Sequence, residues 1–161
     1  MEGFSQEEWV LWRSLGRLIH LLPRVVDEDL MRASGLTGTE YAVLANLRFA
    51  PGHGLRMAEL AAATSLSASR ITRVVDGLRS RGLVRKDRHA ADARGAVAAL
   101  TGEGLDRLRA ADPHHAASAR GRVLDHVPPD SVAELGEVLR RVAAANAPAP
   151  RQPRDDGTRP G

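Results

Sequence analysis

The chain has no cysteine in its 161 residues. That excludes disulfides, thiolate metal sites and thiol-based oxidant sensing. No run approaches 18 consecutive apolar residues, so no membrane span is expected. Lysine is nearly absent: Lys86 is the only one among 23 basic residues. Arginine favours bidentate contacts, but GC-rich coding gives the same bias everywhere, so the bias carries no functional weight. Catalytic patterns are missing too. There is no nucleophile elbow, no phosphate-cradling glycine loop and no framed pair of carboxylates. Asp27-Glu28-Asp29 reads as a solvated charge run, and no enzyme is expected. The histidines offer no metal spacing: His114 and His115 are adjacent and diverge by about 100° on a helix. Neither a metal nor a cofactor is expected.

What is present is concentrated between residues 57 and 101. Met57 to Leu66 reads as a short helix, Thr64 to Ser67 as a turn, and Ser67 to Arg81 as a second helix. Ile71, Val74, Val75 and Leu78 fall at i, i+3, i+4 and i+7 and make one apolar stripe. The opposite side carries Ser69, Arg73, Asp76 and Ser80, flanked by Arg70 and Thr72. Ser67 suits the N-cap, and Gly82 the left-handed position past the helix end, with Leu83 closing the apolar contact. Two strand-like runs follow, Leu83–Lys86 and the alanine-rich Ala96–Leu100, around a loop bearing Arg88, His89, Asp92 and Arg94. A helix sized for a major groove beside a basic ribbon is the layout of a DNA reader. The first turn, Ser67, Ser69, Arg70, Thr72 and Arg73, would meet the DNA, and arginine on the hairpin tip would enter a minor groove. Asp92 and Arg94, two apart on extended chain, point the same way.

Charge supports the same placement. Residues 55–101 hold nine basic and four acidic side chains, whereas residues 1–54 hold five and seven. Such localisation is the electrostatic footprint of a nucleic-acid face.

The outer segments read as helical arms. Trp12, Leu15, Leu18, Ile19 and Leu22 form a stripe, and Pro23 should kink that helix if it continues to Met31. Gly35 and Gly38 bracket a break, with Thr39 as the expected cap of the next helix. Gly104–Ala119 and Ser131–Ala145 are helical candidates on either side of Pro128-Pro129, and Val132, Leu135, Val138, Leu139 and Val142 share one face. Long amphipathic arms on a small DNA reader suggest a two-fold partner, although the stripes could instead complete a monomer's own core. Residues 147–161 read as a disordered tail.

The chain resembles the MarR-type winged helix-turn-helix regulators. The resemblance is carried by Ser67-x-Ser69-Arg70-Ile71-Thr72-Arg73-Val74-Val75-Asp76-x-Leu78, Arg81-Gly82-Leu83-Val84, Asp92-x-Arg94-Gly95 and Leu100-Thr101, in family order. Glu40-Tyr41-x-Val43-Leu44 and Met57-x-Glu59-Leu60-Ala61 look like the family's second and third helices. Its wing loop, Ala90-Ala91-Asp92-Ala93, is smaller than many members carry. The resemblance implies a mainly α fold with a short β-hairpin wing and terminal dimerisation helices. Residues 1–146 would form one such domain, with the DNA-binding lobe at about 39–101 and dimerisation helices at 5–34 and 102–146. It implies a cytoplasmic homodimer that binds a pseudo-palindromic operator in double-stranded DNA, usually as a repressor released by a small ligand. The implied DNA contacts are Ser67, Ser69, Arg70, Thr72, Arg73, Arg88, Asp92 and Arg94. Implied pocket residues are Trp12, Arg13, Gly16, Arg17, His20, Tyr41, Asn46 and His115, suited to an anionic aromatic effector. A constitutive architectural DNA-binding protein and a protein-interaction module remain the alternatives.

Overall fold

The computed structural model describes residues 3–88 and 96–146. Six helices, α1 (Gln6–Ser34), α2 (Gly38–Phe49), α3 (Met57–Ala63), α4 (Ala68–Ser80), α5 (Gly102–Arg122) and α6 (Val132–Ala145), accompany three short strands, β1 (Gly54–Arg56), β2 (Val84–Arg88) and β3 (Ala96–Leu100). The strands form one antiparallel sheet in the order β1-β3-β2. The chain separates into two compact units, Met1–His126 and Val127–Gly161. None of the described helices is long and apolar enough to cross a membrane.

In the first unit, α1 begins at a reciprocal cap: Ser5 Oγ accepts the Glu8 N–H and Glu8 Oε2 accepts the Ser5 N–H. It then runs 29 residues, with Pro23 inside it. Pro23 removes one donor from the ladder without ending the helix. Gly35, at φ 66°, ends it in the left-handed conformation that glycine adopts without strain. The second helix is capped by Thr37, not by the expected Thr39. Thr37 Oγ1 accepts the Glu40 N–H at 3.1 Å and Glu40 returns the bond at 2.9 Å. The reason is tertiary: Asp27 Oδ1 on α1 accepts the Gly38 N–H at 2.6 Å, which fixes Gly38 as the first residue of the helix.

The core is a cluster of aliphatic side chains on α2, α3 and α4 and the sheet. Val43, Leu44 and Leu47 meet Leu60, Ile71, Val75 and Leu78, with Leu83, Val84 and Ala98 below and Leu108 and Ala111 from α5. Each fully buried leucine contributes roughly 1.5–3 kcal/mol. The stripe expected on α4 is the one buried, with Val74 at its margin. The third strand, β1, lacked a sequence signal because it is three residues long. It pairs Leu55 with Ala98 and Gly54 with Ala99. The alanines that made β3 a weak strand candidate fit its central position, with Ala98 and Ala99 buried between two neighbours.

α1 is fastened to α5 by charge. Asp29 receives both arms of Arg122 at 3.0 Å and the hydroxyl of Ser118 at 2.9 Å. Hydrogen bonds from Arg122 and then Ser118 pull the Asp29 carboxyl down to about 2. A carboxyl depressed in the folded state stabilises the fold above its unfolded value, near 4, and loses that contribution as pH falls through about 2. Stability measured by denaturant titration should therefore drop between about pH 4 and pH 2, and Asp29→Asn should flatten that part of the profile. An unchanged acid limb in the variant would show that the bridge does not bear on stability. A second prediction concerns Gly104, where a Cβ would overlap the Leu83 carbonyl oxygen and meet Leu100 Cδ1 at 2.9 Å. Gly104→Ala should cost about 1–3 kcal/mol, read as a lower Tm by circular dichroism. Gly77→Ala, in open space on α4, should be neutral or stabilising.

Candidate nucleic-acid interface and adjoining cavity

α4 is built to present its first turn. Ser67 Oγ accepts the Arg70 N–H at 3.3 Å and lies 3.2 Å from Ser69 Oγ. Thr72 Oγ1 donates to the Ala68 carbonyl. Because Ile71, Val75 and Leu78 are drawn into the core, Ser67, Ser69, Arg70, Thr72 and Arg73 are all exposed. No acidic residue occupies this first turn, so the positive end of the helix dipole faces outward unopposed. Among the described residues, the guanidinium groups of Arg70 and Arg73 make no hydrogen bond or ion pair.

The helix ends in a Schellman-type closure: Leu83 N–H donates to the Leu78 carbonyl at 3.0 Å, with Gly82 at φ 73°. β2 then pairs with β3 in continuous register from Val84↔Leu100 to Arg88↔Ala96. Lys86 on β2 reaches back to Asp76 on α4 at 3.3 Å, so the helix and the ribbon share an ion pair. Arg85 pairs with Asp87 along β2. Arg88 is the last residue of β2. Asp92 and Arg94, the expected wing contacts, lie outside the described residues, as does the Arg88 side chain.

Beside this face is an open cavity of about 580 Å³, within the range of small-molecule pockets. α1 contributes Leu22, Pro23, Val26 and Asp27, and α2 contributes Tyr41, Ala42, Ala45 and Asn46. Thr64 and Leu66 enter from the α3–α4 turn, Arg70 from the first turn of α4 and His115 from α5. One wall is a stacked pair, the rings of Tyr41 and His115 at 4.1 Å and 15°. Behind it Asp112 accepts the Tyr41 hydroxyl at 2.8 Å and Arg48 at 2.6 Å. Burial, then the bond to Asp112, raises the Tyr41 phenol to about 12, so it stays a neutral donor. Partial burial pushes the Asp112 carboxyl up, but the hydrogen bonds from Arg48 and Tyr41 outweigh it and hold it below the usual carboxylate value.

Of the eight expected pocket residues, the structure gathers Tyr41, Asn46 and His115. The other five are not on this cavity. Trp12, Arg13, Gly16 and Arg17 precede Leu22 by more than a turn of α1. Arg13 and Arg17 line a small separate groove with Trp9, Val10 and Ser14. His20 is two residues from Leu22 and so points to nearly the opposite side of the helix. Arg48 and Asp112, which brace the wall, carried no sequence signal. They lie 64 residues apart, and only the stacking of His115, three residues past Asp112, shows why that turn of α5 faces inward. His114 is exposed where His115 is half-buried, the divergence expected of helical neighbours. Among the described residues no cluster is suited to hold a metal ion.

Comparison with known proteins bears on both features. The MarR family model matches residues 34–95. The chain is similar to a MarR family transcriptional regulator from Streptomyces coelicolor solved in complex with DNA, with 34% identity, 92% of this chain and 93% of that chain covered, and a TM-score of 0.85. It is similar to AbsC, another MarR family regulator from Streptomyces coelicolor, at 32% identity, 90% and 97% coverage and a TM-score of 0.81. PcaV from the same organism, solved with its natural ligand, is 28% identical over 90% and 99% of the two chains, with a TM-score of 0.68. No relative among curated proteins matches the chain.

The cavity wall yields a prediction. Asp112→Ala leaves the Arg48 guanidinium half-buried without its counter-charge and the Tyr41 hydroxyl without an acceptor. It should cost about 1.5–3 kcal/mol by denaturant titration, and the Tyr41 titration followed by absorbance should fall from about 12. A phenol unmoved in the variant would refute the role given to Asp112.

Proposed function

Because the chain belongs to the MarR family of transcriptional regulators, we propose that it binds a pseudo-palindromic operator as a homodimer and is released by a small anionic aromatic ligand. The observation that carries this reading is the first two turns of α4, where exposed serines and two arginines without a partner among the described residues stand near an unopposed helix N-terminus beside a basic ribbon. Ser67, Ser69, Thr72 and Arg73 would read base edges and phosphates in the major groove, with Arg70 at their flank. Arg88 and Arg94 would follow the backbone into the minor groove, with Asp92 steadying Arg94.

The dimer is supported by apolar side chains left in solvent. On α1 Val10, Leu11, Trp12, Leu18 and Ile19 are exposed, and α6 exposes Leu135, Leu139 and Val142 along one face. Exposed stripes on both terminal arms suit a two-fold partner better than a monomer. The ligand would occupy the cavity lined by Tyr41, Asn46 and His115. Trp12, Arg13, Gly16, Arg17 and His20 would join that site only where a second copy brings its own α1 alongside.

Fluorescence anisotropy against the DNA flanking the gene for this chain, at about 150 mM salt, tests the reading, since affinity without stated salt is uninterpretable. The expected result is two protomers per site and a preference over a scrambled duplex of roughly 10³-fold or more. Arg73→Ala should weaken binding, and Arg94→Ala should weaken it with a salt slope reduced by about one per protomer. Equal, weak binding to both duplexes would favour an architectural DNA-binding protein instead.

A further inference from the structure

Arg70 belongs to both features at once. It is the third residue of α4, its backbone N–H held by the Ser67 cap, and it stands among the exposed side chains of the helix's first turn. The same residue lines the cavity with Tyr41, Asn46 and His115. Four other arginines of the fold are committed to partners on neighbouring elements. Arg48 is bound to Asp112, Arg81 to Glu40 and the Gly35 carbonyl, Arg107 to the Ser34 carbonyl and Arg122 to Asp29. Arg70, among the described residues, has no such partner. The carboxylate that also lines the cavity, Asp27, is engaged by the Gly38 N–H at 2.6 Å.

We propose that Arg70 is a cation shared between DNA and ligand: its guanidinium serves a DNA phosphate in one state and the carboxylate of an aromatic acid in the cavity in the other. This rests on the regulator reading above and assigns its mechanism of release. A guanidinium offers one planar fork of donors, and a carboxylate or a phosphate occupies that fork fully. The aromatic part of the acid would lie against the Tyr41–His115 wall and the apolar side chains of Leu22, Val26 and Leu66. The charge would then point to the mouth, where Arg70 stands. Binding of the acid withdraws one cation per protomer from the DNA face without requiring α4 to move. Neutral molecules of the same shape fill the cavity and leave DNA binding intact.

The test uses 2-naphthoate and its uncharged isostere 2-naphthamide as probes, with calorimetry on the full chain and anisotropy on the gene-flanking duplex. Wild-type protein should bind both probes, and only naphthoate should weaken the DNA complex, by roughly 5- to 150-fold, with a salt slope lower by about one per protomer. In Arg70→Gln, an exposed helical position that tolerates glutamine, naphthamide should bind as in wild type and naphthoate no better than naphthamide. The weakened DNA complex of that variant should ignore naphthoate. Naphthoate that binds or releases Arg70→Gln as it does wild type would overturn the shared cation while leaving the regulator reading in place. Failure of both probes to bind wild-type protein would remove the ligand site, and this proposal with it. Failure of the duplex to bind at all would remove the regulator reading itself.

Discussion

The carbonyl of Leu83 lies where α4, β2, β3 and α5 converge. Its own residue's N–H closes the end of α4 on Leu78, and its oxygen accepts the Thr101 N–H at the end of β3. Thr101 Oγ1 donates to the neighbouring Gly82 carbonyl and accepts the Gly104 N–H that starts α5. The space is so tight that residue 104 can carry no side-chain carbon. This junction fixes the angle between the helix that would enter a groove and the ribbon beside it. It also couples both to α5, which holds the cavity wall and the charged tie to α1. Backbone groups buried at such a point must be satisfied or they cost stability, which makes the junction rigid.

Around that junction the charges divide into two populations. Arg48, Arg81, Arg107 and Arg122 are bound to carboxylates or carbonyls and act as struts between helices. Arg70 and Arg73 are left for solvent, on the helix whose dipole already favours anions. The distinction follows from position: the struts lie where α1, α2, α5 and the end of α4 pack, whereas Arg73 lies on the side of α4 opposite its apolar stripe and Arg70 at the flank of that side. An arginine-rich composition therefore does not by itself mark the functional cations, and the partners decide.

The placement of the cavity explains how small-molecule chemistry and DNA recognition can share one small fold. Its floor is the aliphatic margin of the core, its wall a ring stack braced by Asp112, and its rim the turn from which α4 springs. Burial, with the bond to Asp112, holds the Tyr41 phenol further above its ordinary value, so the wall presents a neutral ring to an incoming anion. Asp27, by fixing Gly38 at the start of α2, sets the opposite edge.

The sequence by itself determined what depends on neighbours along the chain. The stripe Ile71, Val74, Val75, Leu78 oriented α4 and so exposed Ser69 and Arg73; Ser67 and Gly82 marked its ends; the runs around residues 84–100 marked the ribbon. These are local rules of periodicity and capping, and each is legible within a dozen residues. Tertiary structure decided the rest. Thr37 caps α2 instead of Thr39 because Asp27, eleven residues back, claims the Gly38 N–H. β1 exists because β3 offers it an edge. Tyr41, Asn46 and His115 share a cavity from which Trp12, Arg13, Gly16, Arg17 and His20 are absent, because residues on one helix face separate as the helix climbs and only its partners choose which turn is enclosed. Arg48 and Asp112 meet across 64 residues, a distance over which no periodicity survives.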